Sequence, residues 1–241
     1  MLSTMIRELL LIDIETVPHR QALSALDLEE QSLFWDKIAK TVPENTTPED
    51  AYRQKAGILA EFGQVVCIST AFFYTDASGK NALRVKAITG KDEVEILRIF
   101  TELCDQLYRV NPHFRFAGHN IKEFDIPFIC RRMVIHQLAL PPYLRLQDRK
   151  PWEVNLFDTM NWWKFGDHKH YTSLKLLARV LGIPGAKTDM DGSQVQDVYY
   201  RDGNLPRIAD YCCEDVVVTA NIILRFLNLP LLEKEQVVRV D

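Results

Sequence analysis

The chain has 241 residues, of which 47% are hydrophobic and 26% charged, and its formal net charge is −4. This composition excludes disordered, collagen-like and coiled-coil proteins, and it predicts a soluble globular chain that can bury one large core. The longest apolar runs, such as residues 9–12, are far shorter than the roughly 20 residues needed to cross a bilayer, so no membrane span is expected.

The first predicted element is a strand over residues 8–17, whose first half is continuously apolar and whose end is acidic. Because a strand that is covered on both faces has an unbroken apolar run, we expect this strand in the middle of a sheet. Residues 18–62 are rich in Leu, Glu, Lys and Gln and predict a helical insertion. Strands rich in Val, Ile and Phe follow at 64–74 and 82–89, and the turn residues 76–80 between them predict a hairpin.

The second half of the chain is predicted to alternate between helices and strands. Helices are expected from the apolar spacing and the capping residues at 92–110, 126–138, 173–181 and 205–227. Strands or extended segments are expected at 115–118 and 155–163. We therefore predict a single α/β domain over residues 1–241, in which helices flank a mixed sheet.

The cysteines and the N-terminus both indicate the cytoplasm. The five cysteines are an odd number without a Cys-x-x-Cys pair, so we expect reduced thiols rather than disulfides or a metal site. Near the N-terminus, Arg7 and Glu8 precede an apolar run that is too short for the core of a signal peptide. We therefore expect a cytoplasmic protein.

Carboxylates occur at three places in the chain. Asp13 and Glu15 are two residues apart in the first strand and therefore lie on the same face, where their repulsion predicts bound protons or hard cations such as Mg²⁺ or Mn²⁺. Asp125 lies at the start of a predicted helix, and Tyr211 and Asp215 share one face of the last helix. Each segment alone is also compatible with a solvated strand end, a helix cap or a helix surface.

Together, the three segments resemble the motifs of the DEDD 3′-to-5′ exonucleases, which have the ribonuclease H-like fold. Asp13 and Glu15 are similar to the first motif, residues 120 and 124–128 to the second motif of family B DNA polymerases, and residues 211–215 to the third. The tyrosine branch is indicated, because Asp210 stands where the other branch has histidine. The resemblance extends from about residue 9 to 227 and is closest to stand-alone bacterial forms. Since there is no room for a polymerase domain, proofreading within the same chain is not expected.

The resemblance implies a phosphodiester hydrolase with two divalent metal ions, Mg²⁺ or Mn²⁺. One ion would be bound by Asp13, Glu15 and Asp215, and the other by Asp13 and Asp125. Tyr211 would orient the attacking water through its hydroxyl. The expected reaction releases nucleoside 5′-monophosphates from the 3′ end of single-stranded DNA.

Substrate contacts are expected from Thr16, Asn120, Phe124 and Lys175. Asn120 is suited to bind the terminal nucleotide, and Phe124 to stack on its base. Residues 115–187 hold twelve lysines and arginines against six acidic residues, so a basic face is expected. Phosphate contacts could come from its members Lys122, Lys164, Lys169, Lys175 and Arg179.

Two alternatives remain at this point. An RNA-trimming 3′-5′ exonuclease would share every catalytic residue, and DNA is favoured only because the second motif is polymerase-like. A catalytically inert nucleic-acid-binding module of the same fold would usually have lost an acidic ligand, and none is missing here. The expected partner is thus a single-stranded 3′ end, whereas protein partners are not indicated.

Overall fold

A computed structural model describes residues 2–150, 152–167, 171–184 and 190–240. Six strands of these residues form one sheet, namely β1 (Leu9–Pro18), β2 (Gly63–Thr75), β3 (Asn81–Thr89), β4 (Arg115–Gly118), β5 (Phe157–Asp158) and β6 (Val237–Arg239). The strand order is β5-β4-β1-β2-β3-β6. The sheet is mixed, because β1 pairs antiparallel with β2 and parallel with β4.

Helices cover both faces of this sheet. They are α1 (Leu2–Arg7), α2 (Leu28–Ile38), α3 (Pro48–Lys55), α4 (Glu93–Val110), α5 (Asp125–Ile135), α6 (Thr159–Lys164), α7 (Leu174–Val180), α8 (Val195–Asp197) and α9 (Leu205–Phe226). The predicted α/β architecture, a mixed sheet flanked by helices, is confirmed. Within the described residues, no helix is both long enough and apolar enough to span a membrane.

The central strand β1 is buried on both faces. Leu10 and Ile12 pack in one apolar cluster with side chains of α4 and α5, whereas Leu9 and Leu11 pack in another with side chains of α9. This burial on two sides explains the continuous apolar run, because neither face of the strand meets water. The central position predicted for the strand is confirmed, and it places the acidic end of β1 between α5 and α9.

Between β1 and β2 the chain forms α2 and α3. Their first turns are capped by the side chains of Asp27 and Thr47, each of which accepts a backbone N–H. Phe34 packs edge to face against Tyr52 and Phe62, with ring centroids 5.1 and 5.2 Å apart. This helical segment therefore has a small core of its own beside the sheet.

A buried ion pair fixes α5 relative to α4 and β2. Nη2 of Arg132 lies 2.6 Å from Oε2 of Glu93, and the two side chains are only 7% and 5% exposed. Glu93 also accepts the backbone N–H of Val65 at 2.7 Å, and Arg132 donates to the carbonyl of Ala60 at 2.8 Å. Removing one partner of such a pair typically costs about 3–5 kcal/mol, so this network holds the helix that begins at Asp125 firmly in place.

The prediction of an extended segment over 155–163 is wrong for its second half. Only Phe157 and Asp158 are in β5, and α6 begins at Thr159. The Asp158 carboxylate accepts the backbone N–H groups of Met160 and Asn161 at 2.9 and 3.3 Å, which starts the helix. The short elements α1, α8 and β6 were not predicted, because elements of this length have too few residues for a periodic pattern.

Candidate active site

A cleft of about 1030 Å³ opens at the acidic end of β1. Its walls come from β1, the turn before α5, α7 and α9. It is lined by the five side chains for which the sequence predicted catalytic or metal-binding roles: Asp13, Glu15, Asp125, Tyr211 and Asp215. These residues meet although they lie far apart in the chain, because α5 and α9 pack on opposite faces of the central strand.

Asp13 and Glu15 line the cleft from the same strand. Asp13 is partly exposed, and Glu15 is 8% exposed. The pairing of β1 with β2 shifts register between Glu15 and Thr16, so the strand is irregular at this point. Among the described residues, Thr16 does not line the cleft but pairs with Val65 of β2. Its contact with substrate stays a prediction.

Asp125 is held directly against β1. Its Oδ1 accepts the backbone N–H of Ile14 at 3.1 Å, and the residue is 3% exposed. This bond joins the start of α5 to the strand position between the two other carboxylates. Burial raises the pKa of Asp125 to about 7, although hydrogen bonds from its own N–H and from that of Ile14 act in the opposite direction.

Tyr211 and Asp215 lie one turn apart on α9 and face the cleft together. Burial raises the pKa of Asp215 to about 6, and its hydrogen bond with Tyr211 partly offsets this increase. Burial and the negative charges of Asp215 and Glu15 raise the pKa of the Tyr211 phenol. The phenol is therefore protonated at neutral pH and acts as a hydrogen-bond donor.

The carboxylates destabilise one another's charged forms. Burial is the largest cause that raises the pKa of Asp13 well above its usual value, and the charges of Asp125 and Asp215 add to it. Burial and the charge of Asp13 likewise raise the pKa of Glu15 well above its usual value. A carboxylate oxygen of Asp13, one of Glu15 and Sγ of Cys212 lie within 4.8 Å of one another. Without a cation the cluster therefore keeps its protons to a higher pH than isolated carboxylates do, and a divalent cation would displace them.

These pKa shifts predict that the metal-free protein loses stability as pH rises. An acid whose pKa is raised by folding binds more protons in the folded state, so stability is highest below its unfolded pKa and is lost as pH rises through its folded pKa. For Asp215 and Asp125 the folded values are about 6 and about 7. Thermal unfolding in chelator should therefore give a melting temperature that falls between about pH 5 and pH 8.

Each kcal/mol lost in this window should lower the melting temperature by about 2–4 °C. The variant Asp125→Asn should flatten the pH dependence, because an amide does not titrate. Added Mn²⁺ should raise the melting temperature more at pH 8 than at pH 5, since protons compete with the cation. A melting temperature in chelator that rose with pH over this range would contradict the assigned shifts.

Asn120 contributes an unpaired amide oxygen to the cleft. The residue adopts a left-handed backbone conformation with φ of 63°, which asparagine tolerates better than most residues. Its Oδ1 is buried and has no hydrogen-bond partner within the part of the chain that the structure describes. Since buried polar atoms are nearly always paired, this oxygen is suited to accept a hydrogen bond from a bound ligand.

Asp158 and His119 support the wall of the cleft that Asn120 forms, and the sequence patterns indicate a role for neither of them. Asp158 is 1% exposed and accepts the backbone N–H groups of Asn120 and Lys122, both at 3.1 Å. Nε2 of His119 donates to the carbonyl of Thr172 at 2.8 Å, which ties the turn to the segment before α7. No local pattern could reveal these contacts, because the partners are distant in sequence.

Aromatic and basic side chains line the cleft beside the carboxylates. Phe124 is partly exposed and packs against Phe128 with ring centroids 5.5 Å apart. Lys175 and Arg179 lie one turn apart on α7 and both line the cleft. Positive side chains one turn apart are separated by about 6 Å along a helix, a spacing suited to contacts with neighbouring phosphates.

Two of the other predicted phosphate contacts, Lys122 and Lys164, are not among the described residues that line this cleft. Lys122 lines a separate apolar groove next to α5. Nζ of Lys164 lies 3.8 Å from Oε1 of Glu123, with which it forms an ion pair. Lys169 lies outside the described residues. Among the described residues, the lysine and arginine side chains that line the cleft are therefore Lys175 and Arg179 of α7.

One protein family matches most of the chain. Residues 58–236 match a family described as a predicted 3′-5′ exonuclease related to the exonuclease domain of PolB. The matched region includes Asp125, Tyr211 and Asp215 and begins after Asp13 and Glu15, which line the same cleft. No curated protein matches the chain.

The fold is also similar to that of a solved polymerase structure. The family B DNA polymerase from the hyperthermophilic archaeon Pyrobaculum calidifontis matches with a TM-score of 0.51 and 14% identity. The match covers 91% of this chain, which spans only 24% of the polymerase. At this level of identity the similarity shows the fold alone, and the ribonuclease H-like fold is confirmed.

Proposed function

The chain belongs to the family of predicted 3′-5′ exonucleases related to the exonuclease domain of PolB, and on this basis we propose that it removes nucleotides from the 3′ end of single-stranded DNA. The products would be nucleoside 5′-monophosphates. The observation that carries the proposal is that four carboxylates and a tyrosine from three distant segments line one cleft. DNA is favoured over RNA because the second motif is similar to that of family B DNA polymerases.

The donor set in the cleft fits two divalent cations such as Mg²⁺ or Mn²⁺. Burial and mutual repulsion disfavour the charged carboxylates, and two divalent cations would neutralise four such groups. Asp13, Glu15 and Asp215 would hold one cation, and Asp13 and Asp125 the other. When bound, such ions lower the pKa of a coordinated water and stabilise the leaving oxygen of a phosphodiester.

The protein's own groups would position the water and the strand. Tyr211 bears a protonated hydroxyl beside Asp215 and would orient the attacking water. The unpaired Oδ1 of Asn120 would accept a hydrogen bond from the 3′-hydroxyl of the terminal nucleotide. Phe124 would stack on the terminal base, and the cations of α7 would contact phosphates further along the strand.

The proposal predicts stepwise shortening of single-stranded DNA. Purified protein with Mg²⁺ or Mn²⁺ should shorten a 5′-labelled oligonucleotide one nucleotide at a time and release mononucleotides from a 3′-labelled one. Chelator should abolish the reaction, and a circular single strand of the same sequence should remain intact because it has no 3′ end. Gel analysis of the labelled products measures all three results.

The same assay separates the competing functions. A matched RNA oligonucleotide that was shortened faster than DNA would support an RNA-trimming nuclease instead. Folded protein that bound Mn²⁺ but cut neither DNA nor RNA would contradict an enzymatic role and support a nucleic-acid-binding module.

A further inference from the structure

The thiol of Cys212 lies directly behind the acidic cluster. Cys212 follows Tyr211 on α9 and is fully buried. Its Sγ lies 3.3 Å from Oδ2 of Asp13 and 3.4 Å from the backbone carbonyl oxygen of the same residue. Among the described residues, it is the only side chain that donates a hydrogen bond to the Asp13 carboxylate. The rotation of this carboxylate therefore depends on a contact with Cys212.

We infer that Cys212 is a positioning residue that orients Asp13 for binding of the divalent cations. This inference rests on the proposed function. The thiol proton donates to Oδ2 of Asp13 and restricts the torsion of the carboxylate in the cleft. Because Asp13 is the ligand expected to contact both cations, its orientation affects the affinity for each of them. Groups that hydrogen-bond to a metal ligand typically contribute about 10–100-fold to metal affinity or activity.

The adjacent residue provides a matched control. Cys213 lies on the same helix and is 4% exposed, so the two cysteines are similarly buried. Its Sγ lies 3.5 Å from Oγ of Ser69 on β2, and among the described residues the thiol that hydrogen-bonds to Asp13 is that of Cys212. Truncating either thiol leaves a similar small void in the core. Only truncation of Cys212 removes a hydrogen bond to a proposed metal ligand.

The test compares Mn²⁺ binding by Cys212→Ala, Cys213→Ala and wild-type protein. Electron paramagnetic resonance of free Mn²⁺ measures binding without any need for nuclease activity. We expect Cys212→Ala to weaken Mn²⁺ binding by about 10–100-fold. Cys213→Ala should change it by less than about threefold. In the nuclease assay, Cys212→Ala should require correspondingly more Mn²⁺ for half-maximal rate.

Two further variants separate positioning from packing. Cys212→Ser keeps a hydrogen-bond donor and should restore most of the Mn²⁺ affinity. Cys212→Val fills the space of the thiol with apolar atoms, is larger by about one methyl group and has no donor, so it should bind Mn²⁺ as weakly as Cys212→Ala. Serine and valine variants that bound Mn²⁺ equally well would overturn the inference, even if the alanine variant failed to fold.

The outcomes also distinguish this inference from the proposed function. Wild-type protein that bound Mn²⁺ but did not cut nucleic acid would contradict the nuclease activity alone, and a loss of binding in Cys212→Ala would still support the positioning role. If the wild type cleaved nucleic acid and Cys212→Ala bound Mn²⁺ as tightly as the wild type, only the positioning role would be overturned. Absence of Mn²⁺ binding by the wild type would overturn both.

Discussion

Replacing Asp13 with alanine is expected to lower the rate of 3′-terminal cleavage by more than about 10³-fold. The reason is that Asp13 would contact both cations, whereas even groups that only hydrogen-bond to a metal ligand contribute about 10–100-fold. Asp215→Ala should have a similarly large effect, since Asp215 would hold the cation that activates the water. Single-turnover rates on a 5′-labelled oligonucleotide at saturating Mn²⁺ measure the loss.

The fold of these variants should remain intact in the absence of metal. The charges of Asp125 and Asp215 contribute to the raised pKa of Asp13, so removing this carboxylate relieves repulsion in the metal-free state. Thermal unfolding in chelator should therefore show a melting temperature at least as high as that of the wild type. A folded Asp13→Ala variant with near-normal turnover would show that the ligand assignment is wrong.

Replacing Tyr211 with phenylalanine is expected to lower kcat by about 10²–10⁴-fold, the range typical of a positioned catalytic hydrogen-bonding group. The substitution keeps the aromatic ring and removes only the hydroxyl that interacts with Asp215. If the ring served only to pack against its neighbours, rate and stability would change little. Single-turnover rates at saturating Mn²⁺ and thermal unfolding distinguish the two roles.

Asp210→Asn is the matched control for this substitution. Asp210 is the residue before Tyr211 on the same helix, but it is exposed and pairs with Arg239 on the surface. Loss of an exposed ion pair costs at most about 1 kcal/mol, so its effect on the rate should be small. Equal rates for Tyr211→Phe and wild type would assign Tyr211 to packing and leave the cleft with four carboxylates as its catalytic groups.

The sequence alone was sufficient for the features that depend on local periodicity. The apolar run at the start of β1 predicted a strand buried on both faces, because an unbroken run leaves no side for water. The spacing of Tyr211 and Asp215 predicted a shared helix face, and the alternation of Asp13 and Glu15 predicted a shared strand face. The three motifs together indicated the exonuclease family to which the chain belongs.

Local patterns were insufficient where a side chain has a distant partner. Residues 159–163 are rich in tryptophan and fit either a strand or a helix, and the helix forms because Asp158 caps it. Lys122 and Lys175 are both basic residues near a motif, yet only Lys175 lines the cleft. The charge of these lysines does not indicate whether they line the cleft, because that depends on how the turn before α5 and the helix α7 pack against the sheet.

The polar contacts that support the cleft could be identified only in the tertiary structure. Asp125 accepts the backbone N–H of Ile14, and Cys212 donates to Asp13, across separations of 111 and 199 residues. These contacts exist because the sheet order puts β1 in the centre and α5 and α9 on its two faces. The identities of the carboxylates are thus a property of the sequence. Their convergence, the shifts in their pKa values and the buried donors behind them arise from packing between distant segments.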